Sequence, residues 1–137
     1  MLGRVGAQEE VWDAADTALA NHYIASLQKS PEYSKVLDLL WDHYAKHDQT
    51  RLLLNYFDQA AQDPRALTAQ LINGHLLRKK GNLDGAIEIY EELNNRSPDN
   101  SFILRALADS LLESGADADA LAYYDVLTGV LPPGSDT

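Results

Sequence analysis

Hydrophobic residues recur along this 137-residue chain at steps of three and four. That spacing places side chains on one face of an α-helix. The clearest segment runs from Gly74 to Pro98, where two short amphipathic stretches are separated by a turn at Lys80-Gly81-Asn82. No window shows the sustained alternation that is typical of a β-strand. The pattern therefore predicts an all-α fold.

The segment is repeated further along the chain. A constant 34-residue shift superimposes six of its positions on identical residues: Leu77, Gly81, Ala86, Tyr90, Leu93 and Pro98 on Leu111, Gly115, Ala120, Tyr124, Leu127 and Pro132. The upstream sequence predicts three more helices, at about 9–28, 33–46 and 50–62. We therefore expect about seven helices, arranged as a half repeat (9–32) and three repeats (33–66, 67–100 and 101–134). Residues 1–8 are expected to be a disordered or non-native tail.

The first copy departs from the other two at its turn. His47-Asp48 stands where the later copies carry Gly81 and Gly115. Aspartate tolerates left-handed backbone geometry better than most residues, so we expect a glycine-free turn at this point.

The same 34-residue register makes specific assignments in the upstream helices. It places Leu52 where the later copies have Ala86. In the N-terminal helix, Leu19, Tyr23 and Pro31 reproduce the mutual spacing of Ala86, Tyr90 and Pro98, so Leu19 is matched to Ala86 and Tyr23 to Tyr90. These assignments predict which side of each upstream helix is buried.

Paired helices with a 34-residue period resemble the tetratricopeptide repeat. The residues that carry the resemblance are Gly74-x-x-Leu77, Ala86-x-x-x-Tyr90 and Pro98. The family's characteristic tryptophan is replaced in the three copies, by Val36, Gln70 and Leu104. The resemblance implies a right-handed solenoid of helical hairpins, in which Gly74 and Ala86 are small because the two helices of a pair cross closely. It also implies a concave surface lined by the first helix of each pair.

That concave surface is where a partner would bind. The register selects eight residues for it: Leu37, Trp41, Tyr44, Leu71, His75, Arg78, Arg105 and Asp109. Tryptophan, tyrosine and arginine are enriched at protein interfaces. We therefore expect a non-enzymatic module that binds a peptide segment of another protein. Two alternatives stay open: Trp41 and Tyr44 are covered as core, or the chain is a structural or self-associating segment of a longer array without a groove of its own.

Composition excludes several other partners. The formal net charge of −10, from 21 acidic and 11 basic residues, should repel nucleic acid and anionic membranes. The absence of cysteine excludes disulfides and thiolate metal sites. No phosphate-binding or dinucleotide-binding motif is present, so no cofactor is predicted. A cytoplasmic location is our prior expectation.

Two clusters have both a structural and a functional interpretation. Arg78-Lys79-Lys80 closes a helix, where cations offset the negative end of the helix dipole, but it could also face a ligand. His43 and His47 have the spacing of two metal ligands on one helical face. No third ligand is evident from the sequence, so no metal site is predicted. A small metal-dependent enzyme using His43 and His47 is the remote alternative.

The last predicted helix, from about Asp117 to Val130, has an apolar side that includes Leu121 and Val130. Repeat arrays normally end in a polar capping element. We expect this side to be covered by a further repeat or by a second copy of the chain. A homodimer through this uncapped helix follows from the second case.

Overall fold

The computed structural model describes residues 12–130, and within that range it contains α-helices and turns but no strand. Seven helices follow one another: α1 (Ala14–Lys29), α2 (Lys35–Ala45), α3 (Thr50–Ala60), α4 (Leu67–Lys80), α5 (Leu83–Arg96), α6 (Ser101–Glu113) and α7 (Asp117–Val130). The all-α prediction is confirmed. None of the described helices combines the length and the apolar character needed to cross a bilayer.

Contacts divide the chain into two compact units, with the boundary between Ile72 and Asn73 inside α4. In the N-terminal unit, α2 packs against both α1 and α3. In the C-terminal unit, α6 packs against both α5 and α7. Each unit therefore has a central helix with neighbours on two sides.

Side-chain caps start several of the helices. Asp13 accepts a hydrogen bond from Asp16 N at 2.8 Å, and the Asp16 carboxylate accepts one from Asp13 N at 3.3 Å, which makes a reciprocal capping box at α1. Asn82 caps α5 by accepting from Gly85 N at 3.0 Å. Asn100 caps α6 in the same way. These side chains accept hydrogen bonds from backbone N–H groups of the first turn, which have no acceptor within the helix.

The N-terminal helix is shorter than the sequence pattern predicts. Of its predicted start, residues 9–11 lie outside the described range, as does the expected tail at 1–8, and α1 begins at Ala14. The capping residue Asp13 accounts for this, because the chain before an N-cap is not helical. Trp12 therefore precedes the helix, and its side chain is buried.

The three turns within helical pairs share one geometry. Each has a hydrogen bond from an N–H to the carbonyl five residues earlier: Gln49 to Tyr44, Asn82 to Leu77 and Ala116 to Leu111. Each also has one residue with positive φ: Asp48 (57°), Gly81 (105°) and Gly115 (91°). The glycine-free turn expected at Asp48 is confirmed.

This shared geometry corrects the register of the first repeat. It aligns Tyr44 with Leu77, and the spacing between these two is one position shorter than that between Leu77 and Leu111. Burial agrees, because Leu53 and not Leu52 is buried at the position of Ala86. The sequence-based assignment of Leu52 was therefore wrong by a single position.

The same correction applies to α1. Its buried residues are Ala20, Ile24 and Leu27, whereas Leu19 is exposed and Tyr23 is half-buried. The assignments of Leu19 and Tyr23 to the buried side were therefore wrong. A shift of one residue rotates a position by about 100° around a helix, which is enough to exchange core for surface. For the first repeat the sequence carries a signal, because the spacing between Pro31 and Pro64 is one residue shorter than that between Pro64 and Pro98. For α1 it carries none, because Leu19 and Pro31 have the same spacing as Ala86 and Pro98.

Candidate functional site

The predicted partner-binding residues of α2 are mostly core. Leu37 and Tyr44 are 0% exposed, and Trp41 is half-buried. The reason is the register: with the turns superimposed, Tyr44 falls on Leu111, which is buried in the last pair. The prediction that Leu37 and Tyr44 lie on the partner-binding surface was therefore wrong. Tyr44 is instead part of the core, which was one of the two alternatives left open by the sequence.

The predicted residues at the middle of α4 are also buried. Leu71 and His75 have almost no exposed surface. His75 Nδ1 lies 2.6 Å from the hydroxyl oxygen of Tyr90, so a buried hydrogen bond ties α4 to α5. The two helices also cross closely beside this bond. A Cβ added to Gly74 would lie only 2.8 Å from Tyr90 Cε1. His75 is therefore a tether within its own helical pair.

The next pair repeats this tether at the equivalent positions. Tyr124 donates a short hydrogen bond from its hydroxyl to Asp109 Oδ1, which links α7 to α6. Burial, this hydrogen bond and the negative charge of Asp109 raise the pKa of Tyr124 to about 12. Asp109 is half-buried, so its carboxylate keeps some contact with solvent. Sequence reasoning missed both tethers, although the repeat places the two bonded pairs in equivalent positions.

Arg78 forms an ion pair that neither interpretation of the sequence predicted. Its Nε lies 3.2 Å from Glu113 Oε1, and only 8% of its side chain is exposed. This ion pair joins the end of α4 to the end of α6 within the C-terminal unit. The Arg78 side chain is thus engaged inside the protein, and binding of a partner carboxylate there would have to compete with Glu113.

The most accessible predicted residue is Arg105, which is exposed. It shares one face of α6 with Asp109 and with Leu112, which is 51% exposed. These three residues, four and three positions apart, form what we call the α6 face. Partner binding by Arg105, Asp109 or the half-buried Trp41 stays a prediction.

The N-terminal unit brings a carboxylate to the two histidines singled out in the sequence. His47 Nε2 lies 3.6 Å from Asp16 Oδ2. His43 is buried, and its Nε2 lies 2.8 Å from the backbone oxygen of Asp16. One ligand atom from each of the three side chains lies within 4.8 Å of the others. We call Asp16, His43 and His47 the histidine cluster; its third member was not evident because it comes from another helix, α1, well before His43 in the chain.

Trp12 packs against this cluster. Its ring centroid lies 5.0 Å from that of His43, 5.2 Å from that of His47 and 4.7 Å from that of Tyr44. Desolvation opposes ionisation of Asp16, but the hydrogen bond from Asp13 N and the charge of His47 hold its pKa below the ordinary value. Asp16 therefore carries a negative charge beside the two imidazoles at neutral pH.

Solved structures with the same arrangement of helices identify the fold. MamA MSR-1 C2 matches with a TM-score of 0.57 and 20% sequence identity over 85% of this chain and 68% of that chain. A MamA mutant matches with a TM-score of 0.55 and 22% identity over 90% of this chain and 83% of that chain. MamA is a helical repeat protein of the tetratricopeptide type. The fold is therefore a helical-hairpin repeat, as predicted. Neither a protein-family model nor a curated protein sequence matches the chain.

Proposed function

We propose that this protein is a non-enzymatic interaction module that binds a peptide segment of another protein on the α6 face. The observation that carries the proposal is the contrast within α6. Its other sides are buried, including Leu104 and Leu107, whereas Arg105 and Leu112 are exposed on one side. An apolar side chain and an exposed guanidinium on the same helical face, about two turns apart, offer both area for burial and a charged group for orientation.

The chemistry of this face restricts the partner segment. An apolar side chain would cover Leu112, and a nearby carboxylate would pair with Arg105. Asp109 is already bonded to Tyr124, so the face is held in place before binding and loses little side-chain freedom. The net charge of −10 should disfavour a strongly acidic segment as a whole.

The test is affinity capture from the source proteome with the wild type and with an Arg105→Glu, Leu112→Ser double variant. A matched control changes the same residue types at exposed positions of the N-terminal unit, as Arg51→Glu with Leu19→Ser. We expect the captured partner to be lost by the first variant and kept by the second. A synthetic segment of that partner should then bind the wild type in calorimetry at least tenfold more tightly than the α6-face variant. Equal affinities would exclude the α6 face as the binding site.

A second function, self-association, is favoured by the surface of α7. Leu121 is 62% exposed and Val126 is 49% exposed on this helix, whereas the side chain of Val130 lies outside the described part. Exposed apolar residues of this size can drive association when they lie together. Light scattering over a range of concentrations should show a larger species that disappears in a Leu121→Glu, Val126→Glu variant. A wild type that stays monomeric at every concentration would exclude it.

A further inference from the structure

We propose that the histidine cluster is a binding site for a divalent transition-metal ion of the zinc type. Two imidazoles and one carboxylate are a ligand set that suits Zn²⁺, Co²⁺ and Ni²⁺. The ion would connect α1, through Asp16, to the end of α2, through His43, and to the turn that follows it, through His47. This inference is independent of the proposed binding of a peptide, which concerns the other unit.

The distances fit a site of this kind. Two ligands of a tetrahedral zinc ion with bonds of about 2.0–2.1 Å are roughly 3.3 Å apart. His47 Nε2 and Asp16 Oδ2 are 3.6 Å apart, so a small side-chain movement would complete this edge. His43 lies in the last turn of α2, and His47 follows four residues later in the turn just after the helix, so the two rings come close together, with centroids 5.6 Å apart. All three ligand atoms already lie within 4.8 Å of one another.

The hydrogen bonding around the cluster supports the assignment. Within the described part of the chain, His47 Nε2 is a buried nitrogen without a hydrogen-bond partner. Such an atom normally finds a partner, and a metal ion would supply one. The His43 ring is fixed by the bond between its Nε2 and the backbone oxygen of Asp16. Metal-bound histidines are commonly oriented by backbone carbonyls through the ring nitrogen that does not bind the metal, so Nδ1 of His43 would bind the ion.

The surroundings would also favour a bound cation. Trp12 packs against both imidazoles. Asp16 supplies the formal negative charge, and Asp13, at the N-cap before it, adds a second carboxylate nearby. An ion at this position would fasten the N-terminal helix to its neighbour, and the stabilisation would depend on the concentration of free metal.

The experiment uses the full chain, freed of any histidine tag and stripped with a chelator. Zn²⁺ binding is measured by calorimetry, and Co²⁺ binding by visible absorption, which reports the ligand field directly. We expect one equivalent to bind and the Tm to rise with added Zn²⁺. His47→Gln and Asp16→Asn should each weaken Zn²⁺ binding at least about tenfold and remove the rise in Tm.

The control variant is His22→Gln, because His22 is exposed and lies outside the cluster. It should bind both ions like the wild type. The proposal is overturned if the wild type takes up no Zn²⁺ at tenfold molar excess, or if His47→Gln binds with unchanged affinity. Equal loss in the His22→Gln control would also overturn it, because binding would then be spread over surface histidines.

Discussion

The two units have different residues at equivalent positions of their helical pairs. In the C-terminal unit, Gly74 allows a close helix crossing, and in each pair the tyrosine of the second helix is held by a hydrogen bond. In the N-terminal unit, the corrected register puts Trp41 at the position of Gly74 and Phe57 at that of Tyr90. Phenylalanine has no hydroxyl, so the tether found in the later pairs cannot form there.

The difference shows where polar contacts are made in each unit. In the C-terminal unit, His75 and Asp109 bind tyrosines within their own helical pair. In the N-terminal unit, His43 instead reaches back to the backbone oxygen of Asp16 on α1. The tyrosine tethers of the later pairs therefore lie within each pair, and the Arg78–Glu113 ion pair joins one pair to the next. In the N-terminal unit, the histidine cluster joins α1 to the end of α2.

The largest loss of stability is expected when the close crossing of α4 and α5 is disrupted. Gly74→Leu should lower the free energy of unfolding by about 3 kcal/mol, because even a Cβ would lie 2.8 Å from Tyr90 Cε1. Urea denaturation measures the loss. The same side chain at the exposed Ala118 should change stability by less than about 0.5 kcal/mol. Equal effects at the two positions would show that α4 and α5 do not cross closely at Gly74.

The contrast also shows what the sequence could and could not provide. Glycines at the turns and identical residues at a constant spacing predicted the helices and the turn at Gly81, because those features depend on local backbone chemistry. The first repeat was assigned one position out of register, since a single deletion leaves periodicity intact while rotating every position.

The contacts made by the predicted partner-binding residues were harder to predict. The position of His75 on the first helix of its pair was correct, but its bond to Tyr90 depends on how two helices meet. Asp16 was missed as a member of the histidine cluster for the same reason, because it is distant in sequence from His43 and His47. Contacts between helices are set by packing, which periodicity alone does not specify.

The two tethers should differ in strength because they differ in burial. Tyr90→Phe removes the hydroxyl from a fully buried histidine and should cost about 2 kcal/mol. Tyr124→Phe leaves a half-buried Asp109 that water can reach, so it should cost about 0.5–1 kcal/mol. Chemical denaturation of both variants tests the order. A larger loss for Tyr124→Phe would mean that burial does not determine the strength of the tether.

Substitutions at the turns should change stability by smaller amounts. Gly81→Ala should destabilise the protein by about 1 kcal/mol, because the residue has φ of 105°. Asp48→Gly relieves left-handed strain but adds flexibility to the unfolded chain, so its net effect should stay within about 0.5 kcal/mol. Thermal unfolding of the two variants measures both. If Asp48→Gly were as harmful as Gly81→Ala, the Asp48 side chain would have a role beyond its backbone conformation.

The last expected effect concerns Tyr124 and appears only at alkaline pH. Its folded pKa of about 12 lies above the ordinary value near 10, so the folded state keeps this proton after the unfolded state has lost it. The resulting stabilisation is complete below pH 10 and disappears as the pH rises from 10 to 12. In an absorbance titration, the difference between wild type and Tyr124→Phe should therefore be a tyrosine that ionises near pH 12. The stability of the wild type should fall more steeply with pH than that of the variant between pH 10 and 12. A difference that appears near pH 10 would instead show that the bond to Asp109 does not persist in solution.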